Sequence, residues 1–261
     1  MRINWPVTLL LLLGLLFSAC ANLKTAPTQE EKRALAPTGK LRIAFLANTP
    51  IHATKDLKSG VAIDLGKELA RRLGVPVEVM TYPTVVALFN SVKSGQWDII
   101  FTGIAPDRTK IIDFSPAYAQ IEMGFLVGKD APIAAISDID KPGVRIAVVE
   151  RGAADVLLAP MMKHATLVRN PTVAGSVEMV KTGKADAFAA LKTFLFPASE
   201  EVSGSRVLEG RVSVEDVAIG VPKGNAVGAA YVRKFVEEAK AAGLVSAAIE
   251  RARVRGLNAA P

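Results

Sequence analysis

The chain has 261 residues, half of them hydrophobic, with 32 lysines and arginines against 25 aspartates and glutamates, two histidines and one cysteine. This length accommodates one or two domains with a sizeable core. The formal charge of +7 is scattered, with no stripe of arginines interleaved with aromatics and no nucleic-acid motif, so nucleic acid is excluded as an expected partner and the charge reads as a mildly basic surface.

Met1 to Ala21 carries one early cation, Arg2, then an apolar run from Val7 to Phe17, then small residues. This is the order of a secretory signal, and the run is too short for a hydrocarbon core of about 30 Å. Residues 1–21 therefore read as a targeting segment that sends the remainder to the periplasm or cell envelope. Phe17-Ser18-Ala19-Cys20 resembles the lipobox of bacterial lipoproteins, which implies a lipid anchor at Cys20 and the membrane as a partner. A cut after Ala21 is the competing expectation. Since Cys20 is the only cysteine, no disulfide, cysteine metal cluster or catalytic thiol is expected in the folded part. Residues 22–39, with two prolines and no apolar period, read as a linker, and ordered structure is expected from about Lys40.

The body alternates strand and helix signals. Leu41 to Leu46 reads as a strand, Ile63 to Leu73 as a helix with Leu65, Leu69 and Leu73 on one face, and Val77 to Met80 as a strand. Val85 to Ser94 is a second helix with Val85, Leu88, Phe89 and Val92 facing inward, and Trp97 to Phe101 a buried strand that begins on a core tryptophan. The pattern restarts downstream: strand Arg145 to Val149, helix Gly152 to Leu158, strand Ala165 to Val168, helix Val173 to Lys181, strand Ala185 to Ala190. Gln120 to Val127 and Val214 to Val221 are extended segments suited to be hinge strands, and helices follow at Ala226 to Ala242 and Leu244 to Arg253. Two α/β units in one chain suggest two lobes.

The strand from Trp97 ends at Gly103 and is followed by Pro106-Asp107-Arg108. In open α/β sheets ligands bind just beyond the carboxyl ends of strands. Arg108 there offers a planar, permanently charged fork of donors that fits a carboxylate or phosphate. The histidines, His52 and His164, lack metal-pair spacing and read as surface or loop residues. With no glycine-rich phosphate loop or serine elbow either, no cofactor and no metal is expected. Asp64 reads as a brace near its helix start, and Asp113 as a structural turn residue.

Together Gly39-Lys40-Leu41-Arg42-Ile43-Ala44, Gly60-Val61-Ala62-Ile63-Asp64-Leu65, Ala70-Arg71-Arg72-Leu73-Gly74-Val75, Ser94-Gly95-Gln96-Trp97-Asp98, Pro106-Asp107-Arg108 and Asp113-Phe114-Ser115-Pro116-Ala117-Tyr118 resemble, in order and spacing, the family 3 solute-binding proteins of ABC importers. The resemblance runs from Gly39 to about Gly256. It implies the α/β, two-lobed type II periplasmic-binding-protein fold, each lobe a mixed sheet flanked by helices and joined by two hinge strands. Lobe 1 is then expected over 40–120 plus 217–258 and lobe 2 over 121–216. It also implies that Arg108 clamps a ligand carboxylate, that Gly152-Ala153-Ala154 open the first helix of the second lobe with free amides, and that Asn48 lines the cleft.

Three departures from the family pattern bear on the ligand. The approach Gly103-Ile104-Ala105-Pro106 is short and apolar, leaving contacts to Thr102 and to the backbone of Gly103 and Ala105. Leu191 stands where the family places the aspartate that meets an α-ammonium, and Ala153 where it often has a hydroxyl residue. Glu122 and Glu150 are candidates for the lost acid, and Arg151 for a second cation. A buried cation without a partner is costly, so the expected ligand carries a carboxylate and no essential amine: a small organic acid or an atypical amino acid. The expected role is the binding component of an ABC importer, a monomer and not an enzyme, that takes a small anionic or zwitterionic solute and hands it to an inner-membrane permease. A dehydratase-like periplasmic enzyme on the same scaffold and a solute-sensing lipoprotein are the alternatives.

Overall fold

In a computed structural model, the structure describes residues 26–49, 51–54 and 56–261. The signal segment and Cys20 lie outside the described residues. The elements run α1 (Gln29–Leu35), β1 (Leu41–Leu46), α2 (Val61–Leu73), β2 (Val77–Tyr82), α3 (Val85–Asn90), β3 (Ile99–Gly103), β4 (Ile112–Phe114), β5 (Ala119–Val127) and β6 (Arg145–Val149). They continue α4 (Ala153–Leu158), β7 (Thr166–Asn170), α5 (Val173–Lys181), β8 (Ala187–Leu191), α6 (Lys192–Glu201), β9 (Arg206–Val207), β10 (Ser213–Pro222), α7 (Ala226–Ala241), α8 (Leu244–Ala252) and β11 (Leu257–Ala259). Among the described residues no helix is long and apolar enough to cross a membrane.

One sheet passes through the molecule in the order β2-β1-β3-β10-β5-β8-β6-β7, with β4 on β10 and with β9 and β11 on β5. Each end is parallel, β1 with β2 and β3, and β6 with β7 and β8. The two long central strands are antiparallel to their neighbours and each is shared. β5 pairs with β10 up to Met123 and with β8 from Met123 on, while β10 pairs with β5 up to Val217 and with β3 from Val217 on. These are the two segments expected to be hinges.

The same fastening holds both ends of the sheet. In the first, the backbone N–H, Nε and Nη2 of Arg42 all donate to the Asp98 carboxylate, at 2.8, 3.1 and 2.6 Å. In the second, the same three groups of Arg145 donate to Asp186, at 2.7, 3.1 and 2.8 Å. Each clamp ties the start of one strand to the residue before its parallel neighbour, which aligns the strand ends where a ligand would sit. The following helices start alike, with Thr84 Oγ1 accepting from Ala87 N and Thr172 Oγ1 from Gly175 N, both at 3.0 Å.

The stretch expected to be an unstructured linker is corrected over its second half. α1 is closed at its start by a capping box between Thr28 and Glu31, a device that satisfies two orphan donors of a helix end. Leu35, 0% exposed, enters the core with Phe235, Val236 and Ala239 of α7. Order therefore begins upstream of Lys40. α6, which has Pro197 inside it, is a further helix without a sequence-based expectation.

Candidate functional site

The carboxyl ends of β1, β3, β6 and β8 face a single cleft lined from both ends of the sheet. It encloses a cavity of about 90 Å³, well above the minimum of about 10–15 Å³ that holds a single water. Its polar side chains are Thr49, His52, Thr102, Arg108 and Glu215, and the rest of the lining is glycine, aliphatic residues and phenylalanine.

Arg108 is 5% exposed. It begins a 3-10 turn held by the Ala105 carbonyl, which accepts from the amides of Arg108 and Thr109 at 3.0 and 3.1 Å. That turn brings the side chain back over β3. Its Nη1 donates to Gly103 O at 2.9 Å, to Thr102 Oγ1 at 3.3 Å and to Glu215 Oε1 at 3.4 Å. The guanidinium also lies over the Phe89 ring, 4.7 Å from its centroid, a cation–π placement. All three bonds fall on Nη1, so the edge formed by Nε and Nη2 has no protein hydrogen bond among the described residues and matches a carboxylate in bidentate fashion.

Glu215 is the acid of the site. On β10 it shares a face with Val217, as strand alternation requires, and both line the cleft. Its side chain is 9% exposed. Burial raises its carboxyl above the ordinary carboxylate value, more than the Arg108 charge lowers it. The side chain lies directly over Gly103, where any Cβ would overlap the Glu215 carboxyl. The bare α-carbon of Gly103 is what lets Glu215 reach Arg108.

His52 is 4% exposed, with its ring 5.4 Å from the ring of Phe45. Its carbonyl accepts from the amides of Ala62 and Ile63, at 3.1 and 3.3 Å, and so caps the start of α2, whose N-cap Gly60 has no side chain to do it. Burial pushes the imidazole down to about 3, which keeps it neutral, and Nδ1 has no hydrogen-bond partner. His52 does lie in the loop after β1, but the expectation of a surface position is corrected: the residue is buried and lines the cleft. His164 is exposed.

The opposite wall is plain. Val149, Gly152, Ala153, Ala154, Val173, Ala189, Ala190, Leu191 and Phe194 present backbone and apolar surface. Gly152 N already donates to Val149 O at 2.9 Å, so the amides left over are those of Ala153 and Ala154, which open α4 and have no intrahelical acceptor.

Of the residues singled out from sequence, Arg108, Thr102, Gly103, Gly152, Ala153 and Ala154 come together here and five do not. Asn48 is exposed, and its neighbour Thr49 takes the lining position. Ala105 has its carbonyl committed to the turn. Glu122 accepts from Lys192 Nζ at 2.7 Å and Arg211 Nη1 at 2.8 Å, and these cations hold its carboxyl below the ordinary range. Arg151 is exposed, with a φ of 56° and its amide donating to Asp155. Glu150 is exposed as well. Sequence reasoning passed over Glu215, His52, Thr49 and Phe89. For Glu215 a signal existed: it is the lone acid on the face of the strand that carries Val217, Ile219 and Val221.

Residues 41–252 match the bacterial extracellular solute-binding proteins, family 3. The chain belongs to that family. Solved structures that share the fold of this solute-binding protein include the solute receptor for L-cysteine of Neisseria gonorrhoeae, 23% identical, TM-score 0.76, covering 86% of this chain and 94% of the receptor. Another is an amino acid ABC transporter substrate-binding protein from Streptococcus pneumoniae bound to L-arginine, 21% identical, TM-score 0.73, covering 86% and 98%. A 114-residue stretch is 32% identical to membrane-bound lytic murein transglycosylase F of Vibrio cholerae, covering 42% of this chain and 21% of that protein. The solute-binding protein thus spans about a fifth of that relative's length.

Proposed function

We propose that this protein is the solute-binding component of an ABC importer and that it captures a small carboxylate-bearing solute, an organic acid or an atypical amino acid. It is not an enzyme in this reading. The observation that carries it is buried Arg108, which lines a small cleft between the two ends of the sheet and whose Nε and Nη2 make no protein hydrogen bond among the described residues. The guest carboxylate takes that edge, the amides of Ala153 and Ala154 meet it from the other wall, and β5 and β10 flex as the walls close. Lobe 1 comprises 40–120 and 217–258, lobe 2 comprises 121–216, and a permease receives the cargo. A lipid on Cys20 holds the protein at the membrane. Membership of the extracellular solute-binding family and the amino acid transport names of its structural neighbours support this role.

A thermal-shift screen of amino acids, dicarboxylates, keto acids and aromatic acids identifies the ligand, because binding to the native state raises apparent stability. Calorimetry with the best hit then tests the site. Arg108→Ala is expected to lose about 2–3 kcal/mol of binding, the range for a charge-assisted hydrogen-bonded pair. Unchanged affinity removes Arg108 from the site.

A further inference from the structure

We propose that Glu215 sets the ligand class of this cleft: it receives the cationic group of a zwitterionic solute, and a solute with a carboxylate alone enters only together with a proton on Glu215. This rests on the reading of Arg108 as the carboxylate clamp.

The Glu215 carboxylate has one protein hydrogen-bond partner among the described residues, the 3.4 Å contact to Arg108 Nη1. A buried carboxylate ordinarily accepts several bonds, so Glu215 is left with acceptor capacity that opens on the cleft. The placement is built, since Gly103 is bare under the carboxyl and β10 holds Glu215 on the same face as Val217. Arg108 and Glu215 thus stand side by side, one offering a free donor edge and the other free acceptor positions, against apolar walls. A solute with a carboxylate and a neighbouring ammonium completes both. A solute with only a carboxylate brings a second anion beside Glu215 in a dry site, and like charges that close do not both ionise.

The groups around Glu215 leave it no other compensation. Arg108 comes from the turn after β3, and Ile121 and not an acid or base stands opposite on β5. Asp216, next along β10, accepts from Gln120 Nε2 at 2.7 Å and is exposed. His52 in the same cleft is neutral, Glu122 is held by Lys192 and Arg211, and Leu191 from β8 is apolar. The upward shift of Glu215 on burial agrees with a carboxyl that takes a proton readily.

The test is isothermal titration of the full chain with L-leucine and L-phenylalanine and with their deaminated counterparts, 4-methylpentanoate and 3-phenylpropionate, across about pH 5.5 to 8.5 in buffers of different ionisation enthalpy. For the deaminated acids, affinity is expected to fall about tenfold per pH unit in the upper range with uptake of one proton. The amino acids are expected to bind with no such dependence. Glu215→Gln should weaken the amino acids at least tenfold and make binding of the deaminated acids independent of pH. Gly103→Ala, which displaces the same carboxyl without changing charge, should weaken the amino acids in parallel. Deaminated acids that bind without pH dependence, or amino acids unaffected by Glu215→Gln, overturn the proposal while a loss on Arg108→Ala leaves the clamp standing. Affinities that survive Arg108→Ala overturn the clamp itself.

Discussion

The two ends of the sheet are built to one plan and differ where they meet the ligand. Pro83-Thr84-Val85 and Pro171-Thr172-Val173 start the helices α3 and α5, Val92-Lys93-Ser94-Gly95 closes the 3-10 turn that continues α3 and Val180-Lys181-Thr182-Gly183 closes α5, followed by Asp98 and Asp186 at the same offset. Arg42 and Arg145 clamp those two aspartates with the same three donors. Leu46 and Val149, and likewise Val85 and Val173, then line the cleft from corresponding places. Beyond the third strand the plans part. β3 runs into a turn that returns Arg108 to the cleft, whereas β8 passes directly into α6 and leaves Leu191 and Phe194 there. One wall presents charged side chains and the other backbone and apolar surface, so the scaffold repeats while the lining does not.

The largest expected effect lies in the clamps. The Asp98 side chain is 4% exposed, and Asp98→Ala leaves Arg42 without its buried partner, which costs about 3–5 kcal/mol. Asp186 and Arg145 are partly in solvent, where water screens the pair, so Asp186→Ala should cost clearly less. Urea unfolding of the two variants compares them directly, and equal losses would break the picture of a tighter first clamp.

The contrast between the walls predicts the next effect. Arg108→Ala should cost about 2–3 kcal/mol of binding, while Val173→Ala should cost under about 1 kcal/mol, the scale of one or two methyl groups at a partly open surface. Calorimetry on the identified ligand measures both. A Val173 loss as large as the Arg108 loss would place recognition on both walls.

The last effect falls on the pH profile of stability, and it isolates His52. The folded imidazole is held at about 3 against 6.5 for the ordinary group, so below about pH 6.5 the unfolded chain binds a proton that the folded chain does not. Stability contributed by His52 is therefore complete above that value and is lost as pH falls toward 3. Buried Glu215, shifted the other way, makes the folded state the better proton binder and adds stability on acidification above its unfolded value. His52→Phe should flatten the acid limb and Glu215→Gln should steepen it, both read from melting temperature against pH.

Much of the scaffold was legible because its elements are periodic. Leu65, Leu69 and Leu73 announce α2 at spacings of four, and the continuous apolar run Ile99-Ile100-Phe101 announces a strand buried on both faces. α1 escaped because its hold on the core is one residue, Leu35, with no amphipathic stripe around it. α6 escaped because Pro197 reads as a breaker, although the proline sits in a helix that packs along β5 and β8. Of the site, Arg108 was legible from its place after a strand end. The search for an acid went to Glu122 and Glu150 by their position in the chain, and the structure has Glu122 in an ion pair at 2.7 Å from Lys192.

By itself the sequence determined the alternation of strands and helices, the doubled plan and the arginine beyond β3, because these depend on periodicity and on neighbours within a few residues. Only the tertiary structure decided which charges share the cleft. Arg108 and Glu215 are 107 residues apart and meet at 3.4 Å because β10 pairs with β3 in a register that sets Val217 against Gly103. His52 is turned inward and kept neutral by a loop that caps α2 with a carbonyl. Burial and pairing at that range are properties of the packed sheet, and burial and pairing set whether a carboxylate braces the surface or receives a ligand.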